Sequence, residues 1–180
     1  MPPAKKAAKK STGHSHDGHG ETKDLRRAYE HMGRLGILRA LLKSPVVEGV
    51  AELTRLAQIA IKSERAKDAA DLLRASEHLS FAVLAGEGSR VGPVSSALQS
   101  SIKTHFDELA RKADEHWTEG DSNALAELYH RTRKHASKAF KEGNYHQAME
   151  FIRAAETLAH VKGGSLELAP GLRNPKLISP

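Results

Sequence analysis

The sequence predicts an all-α protein of about six helices, in two related three-helix units forming one helical bundle, with disordered tails. Three observations predict it. First, a helical phrase occurs twice, as AQIAIKSERAKDAADLLRASEHLSFA at residues 57–82 and as ASKAFKEGNYHQAMEFIRAAETLAHV at residues 136–161, a constant offset of 79 positions. Repetition of this kind marks reuse of one supersecondary unit. Second, apolar residues between Thr22 and Val161 recur at the three- and four-residue spacing of one helix face. Third, 39% of the residues are hydrophobic but only 4% are aromatic, so the core must be Ala, Leu, Ile and Val, a mixture that lets helices approach closely.

The elements follow in order. Residues 1–21 contain Ala/Lys pairs and then STGHSHDGHGE, with too few apolar residues to offset the entropy of ordering, and read as a disordered basic and His-rich tail. The helical domain spans 22–162. Its first helix begins at Thr22, with Asp24 favouring the start, and lines Leu25, Ala28, Met32, Leu35, Leu38, Leu41 and Leu42 along one face. Gly33 and Gly36 either weaken this helix or let a neighbour approach closely. Ser44-Pro45 is a cap followed by Pro at the first helical position, so a second helix opens there. It carries Val46, Val50, Leu53, Ala57, Ala60 and Ile61. A third helix, from about Glu64 to Leu84, buries Ala69, Leu72, Leu73, Ser76, Leu79 and Val83, and leaves Asp68, Asp71, Arg74 and Glu77 on the opposite face.

Gly86, Gly88, Gly92 and Pro93 break the chain between a first unit, 22–85, and a second, 94–162. Three more helices are expected at Val94 to Trp117, Ser122 to Lys141 and Tyr145 to Val161. Gly120-Asp121-Ser122 and Gly143-Asn144 supply the turns. Weaker matches extend the duplication upstream: Tyr29 to Arg34 answers Phe106 to Arg111, and Val50 to Leu53 answers Leu125 to Leu128. Residues 163–180 contain Pro170, Pro175 and Pro180 and form an extended C-terminal tail.

The net charge of +6 resides mainly in the tails, since residues 1–23 carry five Lys against Asp17 and Glu21. There is no Cys, which excludes disulfides, thiolate zinc sites and cysteine nucleophiles and fits an intracellular setting. No secretory-type apolar stretch or membrane-length run is found, so the expectation is a cytoplasmic protein without a membrane partner.

Ala136, Ala139, Phe140, Gly143, Tyr145, Ala148, Phe151, Ile152, Ala155 and Leu158 resemble part of a tetratricopeptide hairpin, over about residues 136–158. In the first copy, Glu64 stands where Gly143 does and Ala66 where Tyr145 does. The spacing of 79 is not that of a 34-residue array. The same hairpin is similar to the HEPN superfamily of helical RNA-associated domains. The first resemblance implies a protein-binding surface and the second an RNA-cleaving site. HEPN nucleases carry Arg and His four to six residues apart on a helix, a spacing that Arg26 to His31 and Arg153 to His160 both meet. Such a pair would combine proton transfer with stabilisation of phosphate charge.

Three further patterns carry candidate chemistry. His14, His16 and His19, with Asp17, could bind Zn, Ni or Cu weakly from a flexible tail. Glu127-x-x-His130 has the spacing of di-iron bundles, but no second such motif accompanies it, so no folded metal centre and no dedicated cofactor are expected. Arg131, Lys134, Lys138 and Lys141 recur along the fifth helix as a basic stripe, flanked by Arg133 and His135. Lys5, Lys6, Lys9 and Lys10 add a mobile arm that resembles a short linker-histone-like Lys/Ala tail. Contacts from these groups to phosphates would be few and sequence-independent. Trp117, the single Trp, sits at a helix end, where it serves to anchor the core.

The leading reading is therefore a non-enzymatic helical interaction or scaffold protein with a protein partner, whose basic arm associates loosely with nucleic acid or acidic partners. The alternatives are a HEPN-like RNA-binding or RNA-cleaving protein, and metal buffering through the His-rich tail. The oligomeric state stays open.

Overall fold

A computed structural model describes residues 17–42, 48–87, 95–117 and 124–161, and these residues form six helices and no strand. They are α1 (Asp17–Leu41), α2 (Glu48–Lys62), α3 (Ala66–Glu87), α4 (Ser96–Asp114), α5 (Ala124–Lys141) and α6 (Tyr145–His160). The all-α bundle expected from the sequence is the fold observed. The residues expected to open the second and fifth helices, Ser44-Pro45 and Ser122, lie outside the described residues, as do the 88–94 break and the C-terminal tail.

Helix boundaries follow local chemistry. α1 begins at Asp17, inside the segment read as disordered. α4 starts after Ser95, whose hydroxyl accepts from the Leu98 N–H at 3.4 Å. α3 begins two residues later than expected because Glu64 adopts a left-handed backbone, φ 58°.

That residue opens a close comparison of two turns. Between α2 and α3, the Arg65 N–H bonds Ala60 O at 2.8 Å and the Ala69 N–H bonds Arg65 O. Between α5 and α6, the Asn144 N–H bonds Ala139 O at 2.9 Å and the Ala148 N–H bonds Asn144 O. Each bond in the first turn maps onto one in the second at the offset of 79. Gly143, φ 77°, occupies the left-handed position that Glu64 takes in the first turn. Glycine adopts this conformation without a Cβ penalty, and glutamate does not.

α3 and α6 pack against each other at the centre of the bundle, with α1 and α2 on α3, and α4 and α5 on α6. The central pair runs antiparallel. Gly86 near the end of α3 abuts Gln147 at the start of α6, whereas Asp71 early in α3 faces His160 at the end of α6. Small residues share the faces that carry these contacts: Ala75 and Ala82 on α3 and Ala154 on α6 are completely buried. One apolar cluster joins α1, α2 and α3 to Ala154, Leu158 and Val161; a second joins α4, α5 and the remaining face of α6. Trp117 and Phe151 touch both clusters. Trp117 also stacks on Tyr129, with centroids 6.2 Å apart.

Two expectations about faces are corrected. Leu41 is 60% exposed, because it continues the four-residue row of Tyr29 and Ile37, which face outward too, and not the row of the buried Leu35 and Leu38. Glu77, placed on an outer face by its polarity, is 8% exposed, because α3 is enclosed by α1, α2 and α6.

The paired turns generate a reciprocal test. Glu64→Gly should stabilise the protein by roughly 0.5–1 kcal/mol, the left-handed penalty of a β-carbon less the extra backbone entropy of glycine. Gly143→Ala should destabilise it by about 1 kcal/mol. Urea denaturation checks both, and a loss of stability in Glu64→Gly would contradict the assignment of strain to that residue.

Candidate functional site

The most concentrated chemistry lies in the seams around α3. Glu77 and His78 are neighbours on this helix but point to different partners. Toward α1, Glu77 Oε2 lies 2.5 Å from His31 Nδ1, and Glu77 Oε1 accepts from Arg34 Nε at 2.7 Å. Arg34 Nη2 is also 2.8 Å from His31 Nδ1. That nitrogen can donate to Glu77 or accept from Arg34, but it cannot do both, so the carboxylate and the guanidinium compete for one atom.

Toward α6, His78 Nδ1 meets Glu150 Oε2 at 2.8 Å, and Glu150 Oε1 accepts from Arg153 Nη1 at 2.9 Å. Burial pushes the Glu150 carboxyl up, but the hydrogen bond and charge of His78, together with Arg153, outweigh it and hold the group below its ordinary range. Glu150 is 6% exposed, so this pair is a true interior contact and not a surface ion pair.

Position 150 answers position 71 at the offset of 79, and both are acidic. The likeness ends there. His78, the partner of Glu150, is answered by Thr157, whose hydroxyl donates to Arg153 O at 2.8 Å. Asp71 Oδ2 is buried and accepts no hydrogen bond among the described residues; Lys67 Nζ stands 3.7 Å away. Burial pushes the Asp71 carboxyl above its ordinary value, against the opposing charges of Lys67, His160 and Arg74. His160 in turn meets His116 edge-on, with centroids 5.4 Å apart. The indole N–H of Trp117, next to His116, is likewise buried without an acceptor.

A third polar group ties α4 to α5. Asp114 accepts from the Tyr129 hydroxyl and pairs with Arg133 at 3.2 Å, and Arg133 lies over the Phe106 ring at 5.8 Å. Burial and the Asp114 hydrogen bond raise the Tyr129 phenol above its ordinary value.

The basic stripe is placed on the outside of α5. Lys134, Lys138 and Lys141 are exposed and form no ion pair among the described residues, whereas Arg131 is half-buried and engaged. Burial lowers the pKa of His135, and the charges of Lys138, Lys134 and Arg131 lower it further. Three cations of the same helix thus act on one imidazole. Lys5, Lys6, Lys9, Lys10, His14 and His16 lie outside the described residues, and His19 falls in the first turn of α1.

The two Arg/His spacings do not converge. Arg26 pairs with Glu30 at the surface while His31 turns inward to Glu77. Arg153 turns to Glu150, and His160 lies 3.9 Å from Glu156. His130 sits edge-on to Tyr129 at 5.0 Å, away from any second ligand pair. Among the described residues no three His, Asp or Glu side chains are grouped to hold a metal ion. No helix among them is long and apolar enough to cross a membrane.

The sequence pointed to the α5 stripe and missed the α3 network. Its only advance signal was the acidic pair Asp71/Glu150 at the repeat offset, inside helix faces otherwise rich in Ala. No family model, curated protein or solved structure matches the chain.

Two variants separate the two acids. Glu150→Gln should cost about 1–3 kcal/mol at neutral pH, since it removes a charged acceptor from a buried imidazole. The Glu150 contribution is present above the unfolded value near 4.5 and fades as pH falls through the depressed folded value, so the wild-type advantage should vanish in acid. Asp71 has the opposite sign: its raised folded value makes ionisation costly, so Asp71→Asn should raise the melting temperature at neutral pH. That gain should close as pH falls below 3.8, where both states are protonated. Thermal melts across pH check both signs.

Proposed function

We propose that the protein is a non-enzymatic helical interaction or scaffold module of the cytoplasm, and that it attracts nucleic acid or acidic partners through an exposed basic face. The observation that carries this reading is the contrast between paired and unpaired cations. Arg34, Arg55, Arg133 and Arg153 are each committed to carboxylates of the same chain. Lys134, Lys138 and Lys141 are exposed together on a single helix face and form no ion pair among the described residues. A row of lysines at helical spacing suits point-charge contacts along a phosphate backbone or an acidic segment, and carries no information about base sequence. The Lys5, Lys6, Lys9 and Lys10 arm would add to the same attraction.

The tetratricopeptide-like pattern fits this reading, since the α5–α6 hairpin presents the stripe on one helix while α6 is buried. The internal pairing of the polar side chains also supports a scaffold over an enzyme. His31 and His78 are each engaged with a buried carboxylate, so their chemistry is directed at holding helices together.

Binding of a duplex DNA or RNA probe, followed by fluorescence anisotropy over a salt series, tests the proposal. The triple variant Lys134→Gln/Lys138→Gln/Lys141→Gln should weaken binding without regard to sequence and reduce the magnitude of the log–log salt slope by about two to three, close to 0.9 per lost phosphate contact. An unchanged slope would remove the stripe from the interface. RNA incubated with the wild-type protein should stay intact. Cleavage that disappears in His31→Ala or His160→Ala would overturn the non-enzymatic reading.

A further inference from the structure

The lysine face of α5 also carries an aromatic ring. His135 is exposed, yet its ring is not loose: it stacks on Phe151 of α6, with centroids 5.5 Å apart and planes 28° from parallel. Phe151 is itself packed against both apolar clusters. One side of the imidazole is therefore held against the core, and the exposed surface of the residue lies on the side away from Phe151. Cations flank it on its own helix. Lys134 is adjacent and Lys138 three residues on, both exposed, and Arg131 is four residues back. Residues three and four apart are neighbours on a helix surface, about 5–6 Å between β-carbons. Glu127 and Glu142 close this face at its two ends.

We infer that this face takes an unpaired nucleic-acid strand, with a base stacked on the outer side of His135 and the neighbouring phosphates on Lys134 and Lys138. The inference rests on the nucleic-acid reading of the lysine row and names the form of nucleic acid that the row prefers. Lysines alone make no such choice, because every form offers phosphates. A fixed aromatic face does. In a duplex the faces of each interior base are covered by its neighbours, whereas an unpaired base can turn out and lie on a ring. Every base has a π-face, so the contact is as indifferent to sequence as the lysine contacts are. Phe151 behind the ring also limits the side-chain freedom that an exposed histidine would otherwise lose on binding.

The chemistry of the ring suits stacking. Burial and the charges of Lys138, Lys134 and Arg131 all hold the His135 pKa below its ordinary value, so the imidazole is neutral at pH 7. It adds a flat surface to the site and not another charge. The row from Lys134 to Lys141 is about 10 Å long at 1.5 Å per residue, room for about three phosphates of one strand. With so few ionic contacts, one stacked base is a large share of the binding.

Fluorescence anisotropy of the full chain with three probes of equal length tests it: oligo(dT), a strand of abasic sites carrying the same phosphates, and a DNA duplex. Wild type should bind oligo(dT) at least about fivefold tighter than the abasic strand, the lower end of what one base stacked on an aromatic side chain contributes. His135→Ala should remove that preference while leaving the abasic strand and the duplex bound as before, and the salt slope unchanged. His135→Phe should keep the preference, which separates loss of stacking from damage to the helix. Oligo(U) run beside oligo(dT) identifies RNA or DNA as the source of the strand, and the inference needs the preference with at least one of them. Equal affinity of wild type for the strands with and without bases would overturn it. So would equal weakening of all probes by His135→Ala. Either result leaves the lysine row standing as a general polyanion surface, whereas no binding to any probe would overturn both readings.

Discussion

The rest of the structure depends on the antiparallel contact between α3 and α6. Every other helix packs on one or the other, so the bundle closes only if these two are held at short range and in register. Alanine on both surfaces permits the short range, and burial of that seam supplies the nonspecific attraction. Register needs something directional. The His78–Glu150 contact at 2.8 Å provides it, because a sliding of one helix by a turn would strand both groups in an apolar interior. The His31–Glu77–Arg34 group does the same for α1 on α3. A buried pair of this sort contributes less to net stability than to choosing one arrangement, since desolvation offsets much of its attraction.

The repeat explains where this consistency breaks. At the offset of 79 the two turns share their hydrogen bonds, yet one has glycine in the left-handed position and the other has Glu64. At the same offset Glu150 has His78 across the seam, while Asp71 faces Thr157's helix and has an oxygen without a donor. Both departures fall in the first phrase, and both are costs relative to its counterpart. A chain in which local choices agree everywhere would have glycine at 64 and a donor beside 71. The buried polar atoms left without a partner among the described residues, Asp71 Oδ2, His78 Nε2 and Trp117 Nε1, lie on α3 and at the end of the segment that follows α4.

The sequence announced the helices because their signals are local. Spacing of Leu and Ala and the Gly143 turn can be recognised without knowing what lies across the core. Enclosure is not local. Glu77 and Leu41 were placed on the wrong sides because polarity alone ranked them, and polarity cannot reveal that α3 has neighbours on three sides while α1 packs on α3 through one face. The α3 network was illegible for the same reason: His78 and Glu150 are 72 residues apart, and neither belongs to a recognisable motif. The α5 stripe was legible because its members share one helix. Its significance depended on whether carboxylates reached it from elsewhere, which required the fold.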